Sequence, residues 1–386
     1  MTAARDASRS PAKRRLAAHV LGHSELLAGR VVARARAEMP AYAALPTAST
    51  VTATIGILSR LLTALRDGSP LGADDLRAIR EFGETRARQG VSLAEVQNGW
   101  RIAVRELLDD FTESGKTVRV GARAMLELTH DLLEIVDEAA AHYTGGHRDV
   151  EIELAQHDQD QRAEYARGLL LGGLGPADIH IGAQNYGLDV EGSYRAFRAR
   201  PDDHAADAAL RRVLRGEPAR ALRGLATVID GDVTGFLSAA CPVETAGLIG
   251  FGPPVRLGEL DRSFRLASRM LATAQVYGRT GAADLTTLGV LPAVVADTDL
   301  SEELARRYLD PLGTGEQART VIDTVERFFD LGMRVEATAD ALIVHQNTVR
   351  YRLSRFEELT GTDLRTPHSA VQIWWAIQHR RTHPRP

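Results

Sequence analysis

Apolar positions near the end of the chain fall into stripes at helical spacing. Val321, Val325, Phe328 and Phe329 line one side of a predicted helix over roughly Gln317 to Leu331, and Gly332 stands where a C-cap belongs. Ala339, Leu342 and Val344 follow on a second, short helix and the turn after it; Ala339 is small where two helices must cross closely. Val349, Leu353 and Phe356 then share one stripe, at about 100° per residue, of a helix from near His345 or Gln346 to Thr360. Its opposite face carries Asn347, Tyr351 and Ser354, with Gln346, Arg350 and Arg355 beside them, and His345 to Phe356 holds three arginines and no acid. Three such helices suffice for a small helix-turn-helix domain.

The chemistry of that last face suits a DNA groove. A helix fits the major groove, where arginine pairs with guanine and asparagine or glutamine with adenine. Asn347 and Arg350 are the predicted base readers, and Gln346 and Tyr351 read bases or pack on sugar. Thr348, Arg352 and Arg355 are predicted to hold phosphate, with His345 at the helix entrance, an end that favours anions. Two features depart from the common pattern. Ile343 occupies a turn position where glycine is usual, and a β-branched residue resists positive φ, so the turn is expected to take another shape. His345 is a weak N-cap beside serine or asparagine. An amphipathic helical hairpin with a solvated charged face is the plain alternative.

Upstream, the pattern from His19 to Thr144 is helical throughout, with candidate helices over Ala17–Glu38, Ser49–Asp67, Ala73–Gln89, Ser92–Gly115 and Val118–Gly145. Ser92-Leu-Ala-Glu95 has capping-box spacing. Thr144-Gly-Gly-His147 is expected to end this bundle. The charged stretch Arg148 to Ala166 reads as a linker helix whose apolar seam (Val150, Ile152, Leu154) is thin for a coiled coil. From Tyr165 to about Thr280 the pattern is mixed α/β. Tyr194 to Arg198 alternates like a strand, Asp202 to Gly216 is helical, Thr227 to Leu237 reads as two strands about Asp230-Gly231, Gly247 to Gly250 is a short buried strand, and Glu259 to Tyr277 is an amphipathic helix.

Composition narrows the class. The chain has 386 residues, 44% hydrophobic and 25% charged, ordinary for globular domains, with a formal net charge of −4. Any nucleic-acid contact must therefore come from a local patch. Residues 1–15 mix Arg, Ser, Pro and Ala without periodicity and are expected to be a disordered tail. No stretch approaches about 18 uncharged apolar residues, and no secretory signal pattern opens the chain, so no membrane role and a cytoplasmic location are expected. Cys241 is the only cysteine, which excludes an internal disulfide; beside Pro242 it is expected to be buried and inert.

Little in the chain resembles catalytic machinery. Gly247-x-x-Gly250-x-Gly252 lacks a Walker lysine and runs into Pro253-Pro254, so it reads as a strand-end turn. Asp230 and Asp232 flank a turn and are expected to be a solvated hairpin. His19 and His23 have i, i+4 spacing but no third ligand nearby in sequence, and His142 and His147 fare no better, so no metal, cofactor or enzymatic activity is expected.

Resemblance sharpens the reading. The run Leu342-Ile-Val-His-Gln-Asn-Thr-Val-Arg-Tyr-Arg-Leu353, then Phe356-Glu-Glu-Leu-Thr-Gly-Thr-Asp-Leu364, resembles the C-terminal DNA-binding domain of PucR-type bacterial transcription regulators. The segment around Arg86-Ala-Arg-Gln-Gly-Val-Ser-Leu-Ala-Glu-Val-Gln-Asn-Gly-Trp100-Arg101 resembles, less closely, the N-terminal helical domain of RsbR-like stress regulators. In PucR-type regulators the middle is a GGDEF-like domain. The Gly-Gly-Asp/Glu-Glu-Phe string is absent here, which argues against cyclase activity.

The resulting expectation is a mainly α multidomain protein. It comprises the tail 1–15, a helical sensor or dimerisation bundle over 16–145, a linker helix over 146–166, a central α/β GGDEF-like domain over 167–285, a connector over 286–315 and a helix-turn-helix domain over 316–386. Its expected partners are double-stranded DNA, a second copy of the chain as a homodimer or higher even oligomer, and a small-molecule or protein effector at the N-terminal domains. Two rivals remain: an RsbR-like scaffold that binds protein partners, and, further off, a nucleotide cyclase.

Overall fold

The computed structural model describes residues 11–215, 224–240 and 242–383, save the side chains of residues 212, 213 and 215. The expectations for Cys241 and for most of the N-terminal tail lie outside them. The described chain is mostly helical and divides into two compact units at Gln159/Asp160.

The first unit is a helical bundle: α1 (Pro11–Leu21), α2 (Ser24–Glu38), the short α3 (Pro40–Ala44), α4 (Thr47–Asp67), α5 (Ala73–Arg88), α6 (Leu93–Val118) and the start of α7 (Ala122–Leu171). Leu16, Leu27, Leu58, Leu62, Ile79, Phe111 and Leu132 meet in its core. Residues 11–15 belong to α1 and are not tail. Buried Lys13 donates to Asp131 at 2.9 Å and lies 3.3 Å from Glu127, so two carboxylates of α7 compensate its charge. Ser92 and Glu95 form the expected capping box: Ser92 Oγ accepts from the Glu95 amide at 3.3 Å, and Glu95 Oε2 accepts from the Ser92 amide at 3.1 Å. By length and composition α4 could span a bilayer, but Leu58, Leu61, Leu62 and Leu65 are buried in the bundle.

The expected stop at Gly145-Gly146 is not a stop, because α7 runs through it. A Cβ on Gly146 would lie 2.3 Å from the Arg80 carbonyl oxygen, and one on Gly83 would lie 2.0 Å from that of Tyr143. Each glycine admits the backbone of the facing helix, so α5 and α7 cross at van der Waals distance. His147, next to the crossing, is fully buried, and its Nε2 lies 2.6 Å from the Val91 carbonyl.

In the second unit the end of α7 packs with α8 (Pro176–Tyr186) on a five-stranded sheet. The strands are β1 (Tyr194–Ala199), β2 (Gly224–Ile229), β3 (Asp232–Ser238), β4 (Ile249–Phe251) and β5 (Ala282–Ala283), in the order β2-β3-β1-β4-β5. All neighbours are antiparallel except β4 and β5. Period-two alternation sorts β1: Tyr194 and Ala196 face α10 (Leu260–Val276), while Phe197 and Ala199 face α9 (His204–Arg215). The hairpin turns at Asp230 (φ 54°) and Gly231 (φ 80°), the two-residue geometry that matches strand twist. Asp232 is not solvated as expected: it is 2% exposed and accepts from Arg198 Nε at 2.6 Å and Arg200 Nη1 at 2.9 Å. A buried carboxylate needs such partners, and Arg198 comes from β1, which pairs with β3, while Arg200 follows directly after the end of β1.

The stretch expected as the connector, 286–315, carries short helices: α11 (Leu285–Leu288), which begins one residue before it, α12 (Leu291–Ala296) and α13 (Thr298–Tyr308). Ala305 and Tyr308 of α13 join the core of the C-terminal helices: α14 (Glu316–Asp330), α15 (Val335–Leu342), α16 (Gln346–Thr360) and α17 (Pro367–Thr382). That core gathers Val325, Phe328, Val349, Leu353, Phe356 and Ile373. Trp374 of α17 and Tyr277 tie it to the sheet domain, and Trp375 ties α17 to α13. Trp374 packs with Met270 and Ala274 of α10, Trp375 Nε1 donates to buried Ser301 Oγ at 2.7 Å, and Tyr277 donates to the Gln378 carbonyl at 3.1 Å.

Candidate nucleic-acid interface

The candidate interface is built on α15 and α16, joined by Ile343, Val344 and His345. Val349, Leu353 and Phe356, one stripe of α16, are buried, and Ala339 is buried where α15 meets it. Burying that stripe fixes which way the rest of the helix faces. His345, Asn347, Arg350, Tyr351, Ser354 and Arg355 are exposed, and Gln346, Thr348 and Arg352 are half-buried.

The turn answers the two departures noted from sequence. Ile343 has φ 52° and ψ 49°, the left-handed conformation usual for glycine there, with its side chain 92% exposed. The turn therefore has the common shape and carries strain in place of a glycine. The amide of Ile343 donates to the Asp340 carbonyl at 3.2 Å and that of Val344 to Ala339 at 3.0 Å, which satisfies the end of α15. His345 is a working N-cap: its Nδ1 accepts from the Asn347 amide at 3.2 Å. The neutral ring with Nδ1 unprotonated is the form that can do this.

On the exposed face, three polar side chains form one cluster. Arg350 Nη1 donates to Asn347 Oδ1 at 3.0 Å, and its Nη2 to Gln346 Oε1 at 3.4 Å. The cluster sits on the first turn and a half of α16, where amide N–H groups point outward and the helix dipole attracts anions. The two acids of the helix lie at its far end. Glu357 accepts from the Leu364 amide at 3.0 Å, and Glu358 lies 3.4 Å from Arg355 on the surface. The near end is thus cationic and the far end neutralised.

Arg352 stands apart from its predicted companions. Its Nη1 donates to Thr324 Oγ1 of α14 at 3.2 Å, so it is turned toward the domain's own scaffold. Thr324 is fully buried, and the bond clips α16 to α14. Sequence periodicity places Arg352 beside Leu353 but does not reveal that an acceptor waits on a neighbouring helix. The sequence reading also passed over Arg334, exposed at the start of α15, the helix that crosses the DNA backbone in units of this kind.

Comparisons with known proteins agree with this geometry. Residues 321–378 match the family described as the PucR C-terminal helix-turn-helix domain, and residues 25–162 match the RsbT co-antagonist protein rsbRD N-terminal domain. The chain is 30% identical over 118 residues to the purine catabolism regulatory protein of Bacillus subtilis, covering 30% of this chain and 20% of that protein. It is 36% identical over 81 residues to an uncharacterized protein of Mycobacterium tuberculosis, covering 21% and 19% of the two. An uncharacterized protein of Thermomonospora curvata is 34% identical over 93 residues, covering 23% and 52%. The alignments thus span from about a fifth to about half of the length of these relatives. The crystal structure of a regulator of polyketide synthase expression from Bifidobacterium adolescentis aligns with a TM-score of 0.29 at 21% identity, over 58% of this chain and 98% of that one. A superposition that loose carries no weight here.

Proposed function

We propose that this chain is a PucR-type bacterial transcriptional regulator that binds double-stranded DNA through α16 under the control of its N-terminal helical unit. The observation that carries the reading is the pairing of a buried Val349/Leu353/Phe356 stripe with exposed Asn347 and Arg350, joined by half-buried Gln346, at the helix entrance. Asn347 and Arg350 read base edges in the major groove, with Gln346 and Tyr351 on bases or sugar. Thr348, Arg355 and Arg334 contact phosphate. Arg352 positions α16 and does not touch DNA.

One such head buries little surface, so a single copy binds weakly. Two copies on an inverted repeat multiply affinity through effective concentration. The protein therefore works as a homodimer or a higher even oligomer, in the cytoplasm where its DNA lies. The central sheet is read as a degenerate GGDEF-like domain whose role is to transmit a signal, not to turn over a substrate. The match of residues 25–162 to a domain of an RsbT co-antagonist supports a second reading, in which that unit also binds a protein partner.

The test is a map of the DNA fragments the chain retains from its native genome, followed by fluorescence anisotropy with a duplex carrying the recovered site. Binding at least about a thousandfold tighter than to scrambled duplex is expected. Equal affinity for both duplexes sinks the reading, and a monomeric mass at micromolar protein, with and without DNA, sinks the dimer.

A further inference from the structure

The helical unit of residues 11–159 holds a cavity of about 80 Å³. Most of its wall is apolar, with Leu58, Phe82, Trp100 and Leu107 among the lining residues. One residue of the wall is a cation. Arg86 is 6% exposed, its Cζ lies 5.7 Å from the centroid of the Tyr42 ring, and its Nη1 donates to Gln89 Oε1 at 2.5 Å.

The hydroxyls of Tyr42 and Tyr143 lie beside the same guanidinium. Burial raises both phenols above their ordinary range while Arg86 draws them back, so both stay protonated and can donate. Gly99 leaves space for the Tyr42 hydroxyl; a Cβ there would stand 3.0 Å from it.

What Arg86 lacks is a carboxylate. Its neighbours on α5 have theirs: Arg80 pairs with Asp149 and lies 3.8 Å from Glu84, and Arg88 lies 3.6 Å from Glu84. Among the described residues no acid reaches ion-pair distance of Arg86, although it is the most buried of the three. A guanidinium does not shed its proton, so a buried one without a counter-ion is costly to keep. Here it faces an apolar cavity and is flanked by two further hydrogen-bond donors.

We infer that this cavity is a binding site for a small monocarboxylate anion, its carboxylate on Arg86 and the two tyrosine hydroxyls and its apolar tail against Phe82, Trp100 and Leu107. Arginine offers a carboxylate two parallel donors, which a neutral ligand cannot use as fully. The cavity is small and its wall mostly apolar, which suits a short acyl chain. The inference stands on the bundle alone and does not rest on the DNA reading.

The experiment is isothermal titration of the full chain with butyrate and with butyramide, its neutral isostere, at matched ionic strength. Saturable binding of butyrate is expected, with butyramide at least about tenfold weaker and Arg86→Gln weakened by a similar factor. No saturable heat from butyrate up to about 10 mM overturns the inference, as does equal affinity for the amide or an unchanged affinity in Arg86→Gln. If Arg86→Gln does not fold, Ala103→Leu fills the cavity wall while keeping Arg86; it is expected to abolish binding, and full affinity in that variant also overturns the inference. Calorimetry without DNA keeps this result separate from the success or failure of the DNA reading.

Discussion

Arg350 and Asn347 stand one turn apart on α16 and are hydrogen-bonded to each other, guanidinium to amide oxygen, at 3.0 Å. The bond orients the Asn347 amide with its oxygen on Arg350. That oxygen keeps a second lone pair and the NH2 group keeps its donors, so a base edge can draw a donor and an acceptor from Asn347 while Arg350 remains bonded to it. Arg350→Ala is expected to cost about 1–3 kcal/mol in operator binding and to relax specificity at one position. Competition among single-base operator variants checks this; a uniform loss across all of them contradicts base reading by Arg350.

Arg352 and Arg355 are three residues apart and should behave differently. Arg355 is solvent-facing with one weak surface partner, so Arg355→Ala is expected to lower affinity for every sequence alike and reduce the salt slope by about one unit. Arg352 is spent on Thr324, so Arg352→Ala is expected to leave the salt slope unchanged and to lower the stability of the C-terminal helices by about 1 kcal/mol. Anisotropy titrations at several salt concentrations, paired with urea melts, separate the two. A reduced slope in Arg352→Ala would return it to the phosphate contacts.

Ile343 pays a conformational penalty with no packing in return, since its side chain is 92% exposed at φ 52°. Relief of a left-handed β-branched residue is worth about 1–2 kcal/mol, and glycine gives part of that back as chain entropy. Ile343→Gly is therefore expected to stabilise the domain by up to about 1 kcal/mol. Denaturant midpoints read it directly, and a loss of stability would show that the exposed isoleucine has a contact to protect.

Adjacent glycines of α7 should respond with opposite sign. A Cβ at Gly146 meets the Arg80 backbone carbonyl at 2.3 Å, which cannot move without parting the helices, and Gly146→Ala is expected to destabilise by about 1–3 kcal/mol. At Gly145 the nearest atom is the end of the Arg80 side chain at 3.4 Å, which can swing away, so Gly145→Ala is expected to be neutral or to gain up to about 1 kcal/mol in helix propensity. Thermal melts of the two variants suffice; equal losses would mean that both positions are crowded.

These cases mark where local patterns inform and where they stop. The α16 stripe is legible because burial repeats every three to four residues, and the Asp230-Gly231 hairpin because its turn residues are nearly obligatory. Gly145-Gly146 misleads because glycine signals both a helix end and a close helix crossing, and only the facing backbone distinguishes them. Lys13, Asp232 and Arg352 mislead for a shared reason: each looks like a solvated charge until a partner distant in sequence is brought to it. Residues 286–315 read as a connector because α11, α12 and α13 are too short to show a stripe of their own. The cavity beside Arg86 was invisible for the same reason, being assembled from several helices that are distant in sequence.

The α17 tryptophans bear on how such a molecule can be switched. Trp374 is seated on α10 and Tyr277 donates to the Gln378 carbonyl, so α17 packs directly on the sheet domain. In the proposed dimer, a head packed this way does not search for its half-site on a loose tether. The separation of the half-sites would then be a ruler laid against that dimer, and a signal that alters it is expected to show as a change in tolerated spacing before any change in the bases preferred.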